Sequence, residues 1–290
     1  MGYKKRFGDR HEGRRLRTLE PFNAMIPFIM KVKSDASNLF KDSVEITETE
    51  KYLRQKRIDG YPGMGFLHLF CAAYIRVVSQ YPGINRFVSG QRVFARHKIE
   101  LFMTVKKELK AAAPETSVKV IFDQSDTVYD VHHKLNTEIQ KIKTDDTNDT
   151  DDIAKFLIKL PRPLLKFAIS FLTFLDYFGK MPKSVLKASP FHCSVAISDI
   201  GSVGLPVIYH HLYNFGNTPV FISFGAKRKV YELNSDGETV LRKYVDFTLV
   251  MDERICDGFY VSQIFRLFKS ILRNPKILDD PPETVVEDIE

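Results

Sequence analysis

Seven consecutive residues, 252-DERICDG-258, place two carboxylates, a guanidinium, a third carboxylate and a thiol in one short loop. A strand-like pattern precedes the loop and a helix-like pattern follows it, a setting in which loops often carry functional groups. Glu253 could accept a proton, although a carboxylate with a pKa of about 4.3 is a weak base near neutral pH. Cys256 would be a nucleophile only if its thiol had a lowered pKa. We favour a structural role for Cys256.

Two adjacent histidines, His210 and His211, follow the segment that contains Ser198. Histidine is the usual proton acceptor near neutral pH. On an extended chain neighbouring side chains point in opposite directions, so one of the two rings could reach a site beside Ser198. Alternatively, one is a core or interface residue and the other is solvated. His192 opens the same strand and could border the site.

The chain shows no pattern for a metal site or a disulfide framework. Adjacent histidines are poor bidentate ligands, and no acidic residue stands at a matching spacing. The three cysteines are far apart and form no C-x-x-C pair. A charged N-terminus argues against a signal peptide, so we expect a reducing, cytoplasmic setting.

Charge is concentrated at the two ends of the sequence. The net charge is +7, and residues 1–17 form a basic arm, whereas residues 276–290 form an acidic tail. A basic arm can bind nucleic acid or an anionic membrane. No nucleic-acid-binding motif accompanies it, so we predict no nucleic-acid partner and expect the arm to pair with acidic surface.

Hydrophobic periodicity divides the remaining chain into helices and strands. The helices are expected at 47–57, with a capping box of Thr47 and Glu50, at 66–82, at 126–143, with Asp126 as cap, and at 259–272. Extended segments are expected at 20–33, 84–109, 117–123, 192–198, 219–225, 227–233 and 238–251, with a hairpin turn at 234–237 and an exposed acidic loop at 144–152. This alternation predicts a mixed α/β fold.

The most apolar block, residues 153–178, is expected to form a helical hairpin divided by Pro161 and Pro163. Its longest uncharged run has nine residues, which is too short to span a bilayer. A core or subunit-interface helix is the simpler interpretation. Weak membrane-surface contact is the alternative, given the flanking basic residues Lys155, Lys159, Arg162, Lys166 and Lys180.

The order of these parts resembles the catalytic core of the 2-oxoacid dehydrogenase acyltransferases, whose fold is shared with chloramphenicol acetyltransferase. That family has a loop Asp-His-Arg-x-x-Asp-Gly between a long strand and a C-terminal helix, where this chain has 252-DERICDG-258. Its strand Thr-Ile-Ser-Asn-Leu-Gly is matched by 196-AISDIG-201, and its early helix by 66–87. The resemblance covers roughly residues 15–275 and indicates an atypical stand-alone member. It implies an acyltransferase-like core domain at 18–275, with an apolar helical insertion at about 144–190.

The resemblance implies a mixed sheet flanked by helices, a homotrimer, and active sites between subunits that take an acyl donor such as acyl-CoA. CoA would be a substrate and not a tightly bound cofactor. In the family the histidine is the general base and the serine hydroxyl stabilises the oxyanion. By this correspondence Ser198 is the oxyanion donor, Arg254 and Asp257 form an ion pair that braces the loop, and Glu253 replaces the base.

Replacement of histidine by glutamate has a calculable cost. The two groups differ by about two pKa units, which corresponds to about 3 kcal/mol, or on the order of a hundredfold in rate for full proton transfer from a thiol. Three hypotheses follow: an acyltransferase whose base is Glu253, His210 or His211; a catalytically inactive trimer that binds a ligand or protein partner; and a peripheral membrane protein.

Overall fold

The computed structural model describes residues 4–106, 115–144 and 157–290, which contain a six-stranded sheet, a three-stranded sheet and seven α-helices. The strands are β1 (Gly13–Arg15), β2 (Ser37–Glu45), β3 (Arg86–Ser89), β4 (Arg92–Arg96), β5 (Ile99–Lys106), β6 (Glu115–Phe122), β7 (Val195–Asp199), β8 (Val220–Leu233) and β9 (Thr239–Asp252). The helices are α1 (Pro21–Ile29), α2 (Thr47–Ile58), α3 (Phe66–Gln80), α4 (Val128–Thr144), α5 (Arg162–Phe178), α6 (Lys183–Ala188) and α7 (Gly258–Arg273).

The large sheet has the strand order β2-β9-β8-β7-β5-β6 and the small sheet the order β1-β4-β3. In the large sheet β7 runs parallel to both β5 and β8, and the other neighbours are antiparallel. The predicted class, a mixed sheet flanked by helices, is therefore confirmed.

One face of the large sheet and the helices form the hydrophobic core. Ile197, Ile222 and Leu249 lie on adjacent strands and are buried there. Every residue of α3 from His68 to Ser79 is buried as well, which confirms the prediction of a well-buried helix. Each large apolar side chain buried in such a core stabilises the fold by roughly 1.5–3 kcal/mol.

The second face of the large sheet is crossed by residues 205–213, which have no regular secondary structure. The Thr248 hydroxyl donates to the carbonyl oxygen of Ile208 at 2.7 Å, and the Ala226 N–H donates to the carbonyl oxygen of Leu205 at 2.9 Å. This face also carries the side chain of Ser198, because side chains alternate between the two faces along a strand.

Two glycines allow the chain that leaves β7 to cross β8. A Cβ at Gly201 would lie 2.3 Å from the carbonyl oxygen of Gly225, and a Cβ at Gly225 would lie 2.5 Å from the backbone nitrogen of Val207. The register of β8 shifts between Phe224 and Lys227, so the two segments predicted at 219–225 and 227–233 are one strand with a bulge.

The prediction of strand structure for residues 20–33 is wrong, because Pro21–Ile29 forms α1. Pro21 occupies the first turn, where its fixed φ suits a helix and its missing N–H costs nothing. Pro27 lies in the last turn, and the helix closes with the Met30 N–H donating to the carbonyl oxygen of Ile26 at 2.8 Å. Its exposed apolar residues are Phe22, Met25, Phe28 and Ile29.

Helix α2 begins at the predicted residue but without the predicted capping box. Ile46 is the N-cap, and the Thr47 hydroxyl donates to Glu45 instead of capping the helix. The carboxylate of Glu50 accepts hydrogen bonds from Lys227 and Lys243, so it ties α2 to the β8–β9 hairpin.

Helix α4 is capped one residue later than predicted. The Thr127 hydroxyl accepts from the N–H of Asp130, and the Asp130 carboxylate accepts from the N–H of Thr127. This reciprocal pair is a capping arrangement, and it replaces the cap predicted at Asp126.

The apolar insertion is described from residue 157 onward; the predicted acidic loop and the start of the helical hairpin lie outside the described residues. None of the residues of α5 is buried, so the interpretation of this segment as a core helix is wrong. Its C-terminal end is anchored, because the Ser89 hydroxyl donates to the carbonyl oxygen of Asp176 and Arg10 donates to that of Tyr177. Within the described residues no helix is long and apolar enough to cross a membrane.

The basic arm and the acidic tail contact each other. Arg14 donates to the carbonyl oxygens of Asp288 and Ile289, and Arg6 lies 3.8 Å from the Glu290 carboxylate. The Asp288 carboxylate also forms an ion pair with Arg86 at 2.5 Å. The arm is thus in contact with the tail of the same chain, through the Arg6–Glu290 pair and through the backbone carbonyls that accept from Arg14.

Candidate active site

Ser198 belongs to a row of three hydroxyl side chains across the second face of the large sheet. It pairs in register with Ser223 on β8, which pairs with Thr248 on β9. Ser198 is half-buried, whereas Ser223 is 1% exposed and its hydroxyl has no hydrogen-bond partner within the described structure. A buried hydroxyl without a partner is costly, and it provides a ready donor for a polar group that enters this face.

His210 lies on the same face as Ser198. Its ring stacks on Phe221 with the centroids 4.2 Å apart, and Phe221 precedes Ser223 by two residues on β8. Burial and the neighbouring His211 lower the pKa of His210, so its ring is neutral at pH 7 and can accept a proton. Its Nε2 atom is buried without a partner in the part of the chain that the structure describes, whereas His211 is exposed. The predicted opposite orientation of the two rings agrees with this difference.

Glu253 lies at the exposed tip of the loop after β9. Its backbone N–H donates to the carbonyl oxygen of Ala36 at 2.8 Å, which fixes the tip against the start of β2. The carboxylate is therefore displayed on the surface of a single chain, where a second molecule can reach it.

Arg254 braces the loop through Asp252, which corrects the predicted Arg254–Asp257 ion pair. Nε and Nη2 of Arg254 donate to the two oxygens of Asp252 at 2.8 and 2.7 Å, and both side chains are almost completely buried. Nη1 of Arg254 donates to the carbonyl oxygen of Met30 at 3.0 Å, so the loop is also tied to α1. Such a two-pronged, buried pair fixes geometry as well as charge.

The remaining loop residues have structural roles within the chain. The Asp257 carboxylate accepts from the N–H of Tyr260 at 2.8 Å and caps α7. Cys256 is buried, and burial raises the pKa of its thiol to about 12, which keeps the thiol protonated and unreactive near neutral pH.

Lys33 is a charged residue beside this loop that sequence reasoning missed. It is 4% exposed, its amine donates to the carbonyl oxygen of Gly216 at 2.7 Å, and the charge of Asp252 favours its protonated form. Burial lowers the pKa of Lys33 to about 8. A single lysine at the end of a predicted extended segment gives no sequence signal of burial.

His192 does not border the site. It is buried three residues before β7, at the opposite end of that strand from Ser198. Its Nδ1 lies 2.7 Å from the Ser189 hydroxyl, and its Nε2 lies 3.5 Å from the Asp176 carboxylate.

Ser198 and Glu253 do not meet within one chain. Ser198 is in register with Thr248 two strands away, and Glu253 is five residues beyond Thr248 along β9. With strands about 4.8 Å apart and a rise of about 3.3 Å per residue, the two positions are roughly 19 Å apart. A site that uses both residues therefore needs a second copy of the chain.

Exposed apolar residues border both positions. Phe259 next to the loop is 77% exposed, and the apolar face of α1 lies on the Arg254 side. Beyond Ser198 the exposed residues are Val203, Leu205, Ile208, Tyr209 and Tyr213. Groups of exposed apolar residues are typical of protein–protein contact surfaces.

Within the described residues, no group of three or more His, Cys, Asp or Glu side chains could hold a metal ion. Neither a known family model nor a curated protein sequence matches the chain.

Solved structures do share the fold. A probable dihydrolipoamide acetyltransferase from Listeria monocytogenes is 12% identical with a TM-score of 0.55, covering 90% of this chain and 95% of that one. The dihydrolipoamide acetyltransferase of Azotobacter vinelandii, studied for the roles of a serine, a histidine and an asparagine in its mechanism, is 12% identical with a TM-score of 0.52, covering 96% and 94%. A chloramphenicol acetyltransferase is 11% identical with a TM-score of 0.51, covering 87% and 94%.

The fold is therefore that of chloramphenicol acetyltransferase and of the acyltransferase cores of 2-oxoacid dehydrogenase complexes. The similarity extends along nearly the whole of those chains. At these identities it establishes the architecture, and the chemistry has to be argued from the side chains.

Proposed function

We propose that the protein transfers an acyl group from a thioester such as acyl-CoA to a thiol or hydroxyl acceptor, at a site shared by two copies of the chain in a homotrimer. The observation that carries this proposal is the separation of roughly 19 Å between Ser198 and Glu253 in one chain. Each residue stands on its own exposed apolar surface, so a neighbouring copy can complete the site. In the Azotobacter vinelandii enzyme a serine and a histidine were investigated for their roles in the catalytic mechanism. We propose Ser198 and Glu253 as the corresponding pair here, on the resemblance of their two sequence motifs to those of the family.

The reaction needs two groups from the protein. A base takes the proton of the acceptor, whose sulfur or oxygen then attacks the thioester carbonyl carbon. The Ser198 hydroxyl donates to the resulting oxyanion, and the buried Ser223 hydroxyl beside it is placed to support the same charge. When the intermediate collapses, the carbon–sulfur bond to CoA breaks and the leaving thiolate receives the proton from the base.

Two side chains are candidates for the base. Glu253 of the neighbouring copy is the residue that the sequence resemblance matches to the family histidine, and a carboxylate has a lower proton affinity than an imidazole. His210 lies on the Ser198 face with a neutral ring and a free Nε2 within the described structure. Arg254 and Asp257 hold the loop and its helix, so we assign them positioning roles.

The test is release of free CoA from acyl-CoA by the purified chain in the presence of a thiol acceptor. Ser198→Ala should reduce the rate by about a hundredfold or more, as expected for removal of an oxyanion donor. Ser235→Ala, at the exposed tip of the β8–β9 hairpin, is the matched control and should leave the rate unchanged.

The base is identified by three further variants. Glu253→Gln and His210→Gln each remove one candidate, and His211→Gln is the control for a neighbouring exposed ring. Loss of turnover in only one of the first two names the base. Turnover that survives Ser198→Ala, or a particle mass equal to a single 33.4 kDa chain, contradicts the proposal.

Glu253 itself favours a second candidate function, a trimer that binds an acyl-CoA-like ligand or a protein partner without turnover. This candidate predicts a rise in melting temperature with acyl-CoA and no thioester cleavage. Cleavage that depends on Ser198 excludes it.

A further inference from the structure

Helix α5 has an apolar stripe on its outer face. The stripe follows a 3-4-3-4 spacing, which puts its members on one side of a helix. Phe167 is 66% exposed and Phe174 is 58% exposed. The Phe167 and Phe171 rings stack, and the Phe174 and Phe178 rings contact each other at a tilted angle. The stripe consists of Leu164, Phe167, Phe171, Phe174 and Phe178.

The neighbouring, inner face of α5, about 100° around the helix from the stripe, is also apolar but half-buried, with Leu165, Ala168, Leu172 and Leu175 turned toward the protein body. The inner face thus accounts for attachment of the helix, and the outer stripe is not needed for it. The anchored C-terminal end, at Asp176 and Tyr177, holds the stripe in a fixed orientation.

The stripe is flanked by positive charge at both ends. Residues 157–190 contain six basic residues and a single acidic one, Asp176, which lies inward beside His192. The basic residues are all exposed: Lys159, Arg162, Lys166, Lys180, Lys183 and Lys187. Long basic side chains beside an apolar surface can extend their charges outward while their stems cover the apolar groups.

The same stripe of a second copy of the chain is a poor match for this surface. Pairing of two such stripes would bring the two basic segments together, and juxtaposed like charges oppose association by several kcal/mol. An acidic and apolar surface suits the stripe better. A bilayer with anionic headgroups offers both properties, and a helix with Phe and Leu on one side and Lys and Arg at its edges is suited to lie in its interface.

We propose that α5 docks the protein on anionic lipid membranes, with its outer stripe inserted at the headgroup boundary and the basic residues in contact with lipid phosphates. The helix lies in the plane of the surface, because no described helix is long enough to cross a bilayer. Apolar insertion and electrostatic attraction are two weak signals that together give stable binding. This inference does not depend on acyl transfer.

The absence of tryptophan from the chain provides a direct test. Phe171→Trp places a single fluorophore in the stripe, and Tyr231→Trp places one on the β8–β9 hairpin, where Tyr231 is 74% exposed. Vesicles of phosphatidylcholine with phosphatidylglycerol should shift the emission of Phe171→Trp to shorter wavelength, and brominated lipid should quench it. The emission of Tyr231→Trp should not change.

Charge reversal tests the electrostatic part with the full chain. Each basic residue near an anionic surface contributes about fivefold to binding, so the triple variant K159E/R162E/K166E should lower vesicle affinity by at least roughly a hundredfold in sedimentation at low salt. K229E, on the exposed part of β8, is the control and should bind as before.

Three results would overturn the proposal. The first is no sedimentation of the chain with anionic vesicles at low salt. The second is equal binding by the triple variant and the control. The third is a short-wavelength emission of Phe171→Trp without vesicles that disappears on dilution, which would show that another protein surface covers the stripe.

Discussion

The buried pair of Arg254 and Asp252 determines the shape of the candidate catalytic loop at the scale of single residues. Two hydrogen bonds join the side chains, and a third joins Arg254 to α1. Asp257 is used elsewhere, as the cap of α7. The resemblance pointed to Asp257 as the partner, because sequence spacing gives no information on which carboxylate a long arginine side chain reaches.

Removal of Arg254 should therefore be far more damaging than removal of Asp257. Arg254→Met leaves the Asp252 carboxylate buried without its counter-charge, and we expect a loss of about 3–5 kcal/mol in the free energy of unfolding. Asp257→Ala removes only a cap and should cost about 1 kcal/mol. Urea unfolding of a double-mutant cycle should show coupling of Arg254 with Asp252 and none with Asp257; the reverse would refute this account of the loop.

Glu253→His should increase acyl transfer to a thiol if residue 253 is the base. The gain should approach a hundredfold, because the imidazole has the higher proton affinity by about two pKa units. Glu283→His, at an exposed position of the tail, controls for the presence of an additional histidine. An unchanged CoA-release rate in Glu253→His would assign the base to another residue.

Lys33 should make stability rise with pH in the alkaline range. Burial lowers the pKa of its amine to about 8 in the folded chain, whereas an unfolded lysine has a pKa of about 10.4. Between these two pH values the unfolded state binds more protons than the folded state, so the free energy of unfolding rises with pH by roughly 3 kcal/mol in total. Below about pH 8 the destabilisation caused by burying the protonated lysine is fully present. The melting temperature of the wild type should therefore rise across this pH range relative to that of Lys33→Met, which lacks the amine. Melting temperatures that change in parallel would contradict the lowered pKa of Lys33.

At the scale of elements, the segments with strong hydrophobic periodicity could be predicted from the sequence. The segments whose structure depends on backbone geometry could not. Helices α3 and α7 and the β8–β9 hairpin follow from apolar spacing and the turn at 234–237, where Gly237 has a φ of +78°. The apolar residues of α1 suit either a strand or a helix, so the sequence pattern alone favours an extended segment there. The first-turn position of Pro21 decides for the helix, and that position is visible only once the helix start is known.

The crossing of the chain over β8 should tolerate no side chain at Gly201. A methyl group there would meet the backbone of Gly225, which belongs to a hydrogen-bonded strand and cannot easily move. We expect Gly201→Ala to destabilise the fold by at least about 2 kcal/mol. Gly258→Ala, with nothing within 4 Å of the added atom, is the control and should hardly change the stability. Equal melting temperatures of the two variants would contradict the close approach of Gly201 to the backbone of Gly225.

At the scale of the whole molecule, the fold could be anticipated from the loop, the Ser198 strand and the early helix in their order, and similarity to the acetyltransferase structures confirms it. The candidate site could be predicted only as separate residues. Ser223 and Lys33 could not be predicted as site residues, because the burial of a hydroxyl or an amine depends on residues that are distant in the sequence. The homotrimer remains a proposal that rests on the two separated halves and their exposed apolar borders.

The distance between the serine row and the loop tip has a genetic consequence. A chain defective at 198 still carries an intact carboxylate, and a chain defective at 253 still carries an intact hydroxyl. Coexpression of S198A with E253Q should therefore produce mixed trimers. At one of their subunit interfaces, Ser198 of the E253Q chain meets Glu253 of the S198A chain. The two inactive variants together should then recover part of the turnover that neither has alone. The measurement is the CoA-release activity of the two variants refolded together, compared with that of a mixture of separately assembled trimers.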